Sequence, residues 1–238
     1  MKTSVVIIAH NEEKYIEKCI LSILNQTKKA DEIILIAHNC KDNTVSITKK
    51  YPIVKTVVYN GPKGLIHARI EGLSHITGDI VLCIDGDSIA NKNWIEEIVK
   101  TLNSNNILVG SWTKFKGTLF GEISNIFNKY LCKTKGTKAI PWIWGTSFGF
   151  WRKDIEQVRS IFKESESLMQ KLNLSKICDD FLLALFMIKN GNIEVTNKTY
   201  VTQNQKEKNS IRAIFRNFEN YKNGNIIKKF FQKNPQML

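Results

Sequence analysis

Apolar residues in the first 105 positions alternate between short continuous runs and helical stripes. The runs at residues 5–9, 33–36, 56–59 and 80–84 have strand length and are typical of strands buried on both faces. A helical segment is predicted after each run, at residues 16–24, 42–50, 67–75 and 94–102. Repeated strand–helix units predict an α/β fold, in which a Rossmann-like, mainly parallel sheet is flanked by helices.

The alternation ends after residue 105. Residues 113–138 are rich in glycine, lysine and aromatic residues, residues 141–151 form an aromatic cluster, and helices are predicted at residues 154–171 and 179–189. We therefore predict one domain over residues 1–205, with halves at 1–105 and 106–205, and a basic, amphipathic, helical tail over residues 206–238.

The formal net charge of +13 predicts an anionic partner, for which phosphate, nucleic acid and acidic lipid all qualify. Basic residues of the tail are interspersed with aromatic ones, namely Phe215, Phe218, Tyr221, Phe230 and Phe231. One hypothesis is that these rings dock on an anionic membrane. The alternative is a helix that packs on the domain and leaves its lysines in solvent.

Targeting signals are not evident in the sequence. The apolar runs are far shorter than the roughly 20 residues that span a bilayer, and the first residues lack the pattern of a secretory signal. The five cysteines are odd in number and contain no CxxC pair, so we expect reduced thiols packed as small apolar groups. These features predict a cytoplasmic protein, with peripheral contact to the inner membrane face as an option.

Asp85 and Asp87 follow the most apolar run of the chain. Ligands of open α/β sheets bind at the carboxyl ends of strands, where the loops diverge. Two carboxylates suit Mg²⁺ or Mn²⁺, which keeps one or two protein carboxylates and takes its other ligands from water and substrate phosphates. A solvated Asp-Gly-Asp turn is the alternative, but its place after three strand–helix units favours a ligand site.

Asp179 and Asp180 begin an apolar helix. They could serve as its cap, or one of them could act as general base on a hydroxyl. Residues 145–151, just upstream, combine small residues and rings and are predicted to form a platform for a sugar. His10 and His38 follow the first and second strands and are expected to line the same crevice.

Seven fragments resemble the family 2 glycosyltransferases of the GT-A fold, along nearly all of residues 3–190. They are residues 5–13 (VVIIAHNEE), 21–27 (LSILNQT), 42–44 (DNT), 67–69 (HAR), 78–79 (GD), 85–87 (DGD) and 179–180 (DD). Each fragment alone is weak, but their order and separation together are specific.

The resemblance implies inverting transfer of a sugar from a nucleotide diphosphate sugar, with a UDP-sugar as the expected donor. The acceptor would be a hydroxyl in cell-surface glycan or glycolipid synthesis. Donor-binding residues carried over from the family are Ala9, His10, Asn11, Glu12, His38, Asp42, Arg69 and Asp85, with Arg69 near the donor phosphates. Asp87 would ligate a divalent metal, Mn²⁺ or Mg²⁺. Asp180 would be the base, and Asp179 would orient the acceptor or the base.

The chain departs from the family pattern at two places, and it lacks a box that is found in processive relatives. His38 stands where an acidic residue commonly contacts the nucleobase, so the identity of the nucleobase stays open. Asp179-Asp180 replaces the frequent Glu-Asp, which leaves open which carboxylate is the base. Gln203 and Gln205 do not complete the Gln-x-x-Arg-Trp box of processive relatives, which favours transfer of one sugar per event.

Two other functions are compatible with parts of the sequence. A nucleotidyltransferase would also use paired carboxylates and a metal, but it usually has a Gly-rich, basic phosphate loop after the first strand, which residues 9–13 lack. A non-catalytic module that binds nucleic acid or membrane is suggested by the charge. The preferred interpretation is an enzyme whose partners are a nucleotide diphosphate sugar and a glycan or lipid-linked acceptor, and not nucleic acid.

Overall fold

A computed structural model describes residues 1–116, 125, 143, 145–174, 179–204, 222–223, 226–227 and 229–234. Within these ranges, the strands are β1 (Thr3–Ala9), β2 (Glu32–His38), β3 (Val54–Tyr59), β4 (Ile80–Asp85), β5 (Ser88–Ala90), β6 (Asn106–Lys116), β7 (Ser147–Trp151) and β8 (Asn192–Asn204). The helices are α1 (Ile16–Leu24), α2 (Thr44–Thr48), α3 (Leu65–Leu73), α4 (Trp94–Thr101), α5 (Ile155–Lys171) and α6 (Asp179–Met187), and a 3-10 turn spans Arg152–Asp154.

The described strands form one mixed sheet in the order β3-β2-β1-β4-β7-β6-β8-β5. The pairs β1–β2, β1–β4, β2–β3 and β6–β8 are parallel, whereas β7 runs antiparallel between β4 and β6 and β5 runs antiparallel to β8. This arrangement confirms the predicted α/β fold with a mixed, mainly parallel sheet. The four strand–helix units of the first half are confirmed too, although α2 is shorter than predicted.

Helices cover both faces of the sheet, and this explains the continuous apolar runs. All seven residues of β1 are buried. Ile8 packs in the core layer that contains Ala68 of α3, whereas Ile7 packs in the opposite layer, with Ile20 of α1. Since successive side chains of a strand point to opposite faces, both sets must be apolar.

Strands β6, β7 and β8 were not predicted, and the sugar platform at residues 145–151 is wrong in its main part. Phe148 and Phe150 lie on β7 in the middle of the sheet, and both are fully buried. The polar residues of this region obscured the strands, because Ser111 and Ser147 are buried as well. Their hydroxyls lie 2.7 Å apart, and the Ser147 hydroxyl accepts a hydrogen bond from the Trp94 indole N–H at 2.7 Å.

The described part of the tail packs on the domain. Phe231 is 4% exposed and meets Phe186 of α6 edge to face, with ring centroids 5.4 Å apart. Phe230 packs against Phe231, so this ring pair favours the packed helix over membrane docking. Phe215, Phe218 and Tyr221 lie outside the described residues. In the part of the chain that the structure describes, no helix is long and apolar enough to cross a bilayer.

We expect Ser147→Ala to lower the free energy of unfolding by about 2 kcal/mol, because it deprives the Trp94 indole and the Ser111 hydroxyl of their shared partner in the core. Urea denaturation measures this change. Ser46→Ala, at an exposed position of α2, is the control and should shift the value by less than about 0.5 kcal/mol. An equally small shift for Ser147→Ala would show that the buried contact contributes little.

Candidate functional site

A cleft of about 560 Å³ lies at the carboxyl ends of β1, β2 and β4. Its lining consists of Ile8, His10, Asn11, Glu12, His38, Asn39, Lys41, Lys63, Gly64, Leu65, Asp85, Gly86 and Asp87. Six residues predicted to bind donor or metal are among them, namely His10, Asn11, Glu12, His38, Asp85 and Asp87. The structure therefore brings these six together, as expected of side chains that follow neighbouring parallel strands.

Two asparagines in the left-handed backbone region turn the loops that form one wall. Asn11 has φ 56° and Asn39 has φ 49°, and asparagine tolerates this region better than most residues. The side-chain oxygen of Asn11 accepts a hydrogen bond from the Lys41 N–H at 2.7 Å, and the Asn39 amide donates to the Gly61 carbonyl at 3.0 Å. These bonds join the loops after β1, β2 and β3.

The two histidines are held by backbone carbonyls. His10 Nδ1 lies 2.7 Å from the His38 carbonyl oxygen, and His38 Nε2 lies 2.9 Å from that of Pro62. Because a carbonyl only accepts, His10 Nδ1 carries the proton, whereas His38 Nε2 also lies 2.8 Å from the Asn39 amide nitrogen. His38 is 5% exposed and stacks on Tyr59, with ring centroids 5.5 Å apart. The His38 ring therefore belongs to the cleft wall and has one nitrogen committed to backbone.

Ala9 and Asp42, both predicted to bind donor, support the cleft and are not part of its lining. Ala9 is 1% exposed. Asp42 accepts hydrogen bonds from the Glu13 N–H at 2.9 Å and the Thr44 hydroxyl at 2.6 Å, and that hydroxyl in turn accepts from the Glu12 N–H at 2.7 Å. Burial acts to raise the pKa of Asp42, but these hydrogen bonds outweigh it and hold the pKa below its usual value.

A tight turn holds Asp85 and Asp87 at the cleft. Asp85 is the last residue of β4, so the strand does not continue through both carboxylates. The Gly86 N–H donates to the Ile8 carbonyl at 2.7 Å, and a Cβ at Gly86 would lie only 3.0 Å from that same oxygen. A larger residue would have to push this turn away from β1 by a few tenths of an ångström, so glycine favours the close approach, and both aspartates then face the cleft.

Gln203 is a residue of the site that the sequence did not reveal. It pairs with Ser88 in the antiparallel contact between β8 and β5. Its side-chain amide nitrogen lies 3.2 Å and 3.4 Å from the two carboxylate oxygens of Asp87. No local pattern could have indicated this contact, because 116 positions separate the two residues.

Arg69 and Asp180 lie in a second group of residues that meets the cleft lining at Asp85. Arg69 is 2% exposed, donates to the Gly145 carbonyl at 2.7 Å and lies 3.6 Å from the Asp85 carboxylate. The Asp180 carboxylate accepts the Gly145 N–H at 2.9 Å and the Phe181 N–H at 2.8 Å. Arg69 was expected beside the donor phosphates, but the structure buries it between Asp85 and Gly145. The side chain of Asp179 lies outside the described residues.

The family model for glycosyl transferase family 2 matches residues 4–159, which is more than half of the chain. The chain belongs to glycosyl transferase family 2. Membership confirms the suspected family and favours glycosyl transfer over the nucleotidyltransferase alternative.

Several curated proteins are similar to this family 2 chain. It is 37% identical over 106 residues to an uncharacterized glycosyltransferase of Haemophilus influenzae, covering 43% of this chain and 33% of that protein. It is 27% identical over 199 residues to the probable glycosyltransferase YdaM of Bacillus subtilis, covering 73% of this chain and 47% of that protein. It is also 27% identical over 134 residues to a glucosyl-dolichyl phosphate glucuronosyltransferase of Haloferax volcanii, covering 51% and 43%. The chain thus spans a third to a half of the length of these relatives.

Solved structures share the fold. A mannosyltransferase from Pyrobaculum calidifontis, in complex with GDP-Man and Mn²⁺, superposes with a TM-score of 0.64 at 18% identity, covering 90% of this chain and 59% of that one. Residues 1–349 of TarS from S. aureus give a TM-score of 0.60 at 20% identity, covering 84% and 60%. At these identities the likeness concerns the fold alone, and it confirms the GT-A expectation for this family 2 chain.

We expect Asp42→Asn to destabilise the protein by about 1 kcal/mol at pH 7, because an amide NH₂ replaces an oxygen that accepts backbone or hydroxyl hydrogens. The native pKa is lowered from 3.8, so this contribution is complete above that pH and is lost as the pH falls through the native pKa. The urea midpoints of wild type and Asp42→Asn should therefore differ less at pH 3 than at pH 7.

The exposed substitution Glu156→Gln is the control; it removes only a surface ion pair with Arg159 and should change the free energy of unfolding by less than about 0.5 kcal/mol across this range. A destabilisation by Asp42→Asn that stays constant down to pH 3 would contradict the role of the ionised carboxylate.

Proposed function

We propose that this family 2 chain transfers a single sugar from a nucleotide diphosphate sugar to an acceptor hydroxyl, with inversion at the anomeric carbon. The observation that carries the proposal is the meeting of Asp85 and Asp87 with the loops after β1 and β2 at one cleft. In an open α/β sheet this is the edge at which nucleotides bind.

The donor is proposed to lie along the cleft, with its base and ribose against the loops after β1 and β2. Lys41 and Lys63 line the same cleft, and their charges would favour a diphosphate. Solved neighbours were crystallised with UDP-GlcNAc and with GDP-Man, which supports a nucleotide sugar as donor. A UDP-sugar is the first candidate, although His38 offers no acidic group to read the base.

The residues present fit a divalent cation that is bound mainly through substrate. Among the described residues, no three His, Cys, Asp or Glu side chains are grouped as a complete metal site. Mg²⁺ and Mn²⁺ need fewer protein ligands, since water and phosphate oxygens complete their shells. Asp87 is proposed to hold the ion, with Asp85 nearby on the nucleoside. The bound ion would offset negative charge on the diphosphate, and two solved neighbours contain Mn²⁺.

Asp180 is proposed as the general base, and Asp179 as the residue that orients the acceptor. Backbone N–H groups of Gly145 and Phe181 fix both carboxylate oxygens of Asp180, which sets the direction of the side chain. In the proposed step Asp180 takes the proton of the acceptor hydroxyl, the oxygen attacks the anomeric carbon, and the bond to the diphosphate breaks on the opposite face. That geometry inverts the anomeric centre.

The acceptor is proposed to be a glycan or a lipid-linked sugar in cell-surface glycan or glycolipid synthesis. A similar protein of Haloferax volcanii is named a glucosyl-dolichyl phosphate glucuronosyltransferase, which supports a lipid-linked acceptor. Peripheral contact of the basic tail with the cytoplasmic face of an anionic membrane stays a prediction, and without Phe230 and Phe231 it rests on the tail residues before position 222.

Calorimetry with UDP, GDP, CDP and dTDP tests the donor site. We expect one nucleotide to bind in the presence of Mn²⁺, and its affinity to fall at least roughly tenfold without the metal or in Asp87→Ala, because charge on the diphosphate is then not offset. Asp79→Ala, at the opposite end of β4, is the matched control and should bind normally. The proposal would be refuted by an affinity that is unchanged both without Mn²⁺ and in Asp87→Ala. It would also be refuted if no nucleotide bound.

Gln203→Ala is expected to weaken Mn²⁺-dependent nucleotide binding by about threefold to tenfold, because Asp87 loses a hydrogen bond that orients its carboxylate. The same calorimetry measures it. Gln170→Ala, on the exposed face of α5, provides the comparison. Equal affinities of Gln203→Ala and Gln170→Ala for the nucleotide would show that Gln203 does not contribute to the site.

A further inference from the structure

We infer that Arg69 is a positioning residue that couples the two halves of the site: it ties Asp85 on the donor side to the Gly145 segment, and through Gly145 to Asp180. The inference rests on the proposed function, since it takes Asp180 as the base. It replaces contact with the donor phosphates, the role that the family resemblance implies for Arg69.

The burial of Arg69 indicates that its charge is stabilised by partners inside the protein. An arginine that is 2% exposed carries a large desolvation cost unless its guanidinium is paired. One terminal nitrogen meets both the Gly145 carbonyl, at 2.7 Å, and the Asp85 carboxylate, at 3.6 Å. The guanidinium carbon also lies 5.4 Å from the centre of the Phe148 ring. Arginine suits this place because its planar group donates in several directions and stays charged.

Strand order explains why these residues meet. Asp85 ends β4, and Gly145 precedes β7, the antiparallel neighbour of β4 in the sheet. The Asp85 N–H lies 3.3 Å from the Thr146 carbonyl oxygen, so Gly145 enters the sheet beside Asp85. Arg69, from α3, reaches across this junction between the first and second halves of the chain.

Gly145 transmits the position of Arg69 to Asp180. Its carbonyl accepts from Arg69, and its N–H donates to the Asp180 carboxylate at 2.9 Å. A Cβ at Gly145 would lie 3.1 Å from the Arg69 terminal nitrogen and 3.3 Å from a carboxylate oxygen of Asp180. The backbone of Gly145 is not in the left-handed region, so Gly145→Ala displaces these two groups without straining the backbone.

The two roles of Arg69 predict different kinetics. A residue that binds the donor phosphates raises the dissociation constant of the nucleotide when it is changed. A residue that only positions the base leaves that constant nearly unchanged and lowers the rate at saturating donor, because a base displaced by a few tenths of an ångström transfers the proton less well.

The experiment compares Arg69→Lys and Gly145→Ala with wild type and Asp180→Asn. Calorimetry with Mn²⁺ gives the nucleotide dissociation constant, and release of nucleoside diphosphate gives the rate of donor hydrolysis, with water in place of the acceptor. Both variants keep a positive charge beside Asp85, so they should bind within about threefold of wild type, whereas they should hydrolyse at least about tenfold more slowly. Gly145→Ala retains Arg69, so it tests the coupling even where Arg69→Lys does not fold.

Gly110→Ala is the matched control. A Cβ at Gly110 is crowded to the same degree, at 3.1 and 3.3 Å, but by Ile143 in the core. It should change neither constant by more than about twofold.

Three results would overturn the inference. The first is normal hydrolysis by Gly145→Ala and Arg69→Lys while Asp180→Asn loses activity, which leaves the proposed function intact. The second is weaker nucleotide binding by these two variants with an unchanged rate of hydrolysis at saturating donor, which would indicate that Arg69 contacts the donor. The third is a wild type that neither binds a nucleotide nor hydrolyses a donor, in which case the proposed function fails and the coupling with it.

Discussion

The parallel register of β1 with both of its neighbours determines where the chemistry of this chain lies. Ile8 pairs with Ile36 of β2 on one side and with Asp85 of β4 on the other, so the three strands end nearly level. The loops that follow them therefore open at one edge. A slip of one residue would exchange the two faces of β1, both of which are packed against helices, and would move Asp85 away from the cleft.

The second half of the site depends on a different constraint, the antiparallel insertion of β7 between β4 and β6. This strand carries Phe148 and Phe150 into the core and delivers Gly145 to the edge where β4 ends. Asp85 and a backbone carbonyl meet the guanidinium of the charged residue buried at that junction, which offsets part of the cost of its burial. The same contacts thus stabilise the junction and set the geometry of the proposed base.

Local patterns predicted the first half of the fold and much of the cleft. Apolar runs identify β1 to β4, and the strand-end rule brings His10, His38 and Asp87 together without knowledge of distant contacts. The rest depends on pairings between remote segments. Gln203 reaches Asp87 only through the pairing of β8 with β5, and β6 was obscured because hydrogen bonds satisfy polar residues such as Ser111 in the core. Asp42 was predicted to bind the donor, but it lies outside the cleft lining, and its hydrogen bonds to loop groups could not be read from spacing.

The floor of the cleft is negative although the whole chain is strongly positive. Burial raises the pKa of the Cys19 thiol beneath the cleft, and the charges of Asp87, Asp85 and Glu12 raise it further, which reports a negative field at this point. Lys41 and Lys63 lie on exposed loops, where solvent screens their charges. A diphosphate entering such a cleft alone would be attracted by these lysines but repelled by Glu12, Asp85 and Asp87. A cation that arrives with the diphosphate removes this repulsion, and this gives an electrostatic reason for expecting nucleotide and metal to bind together.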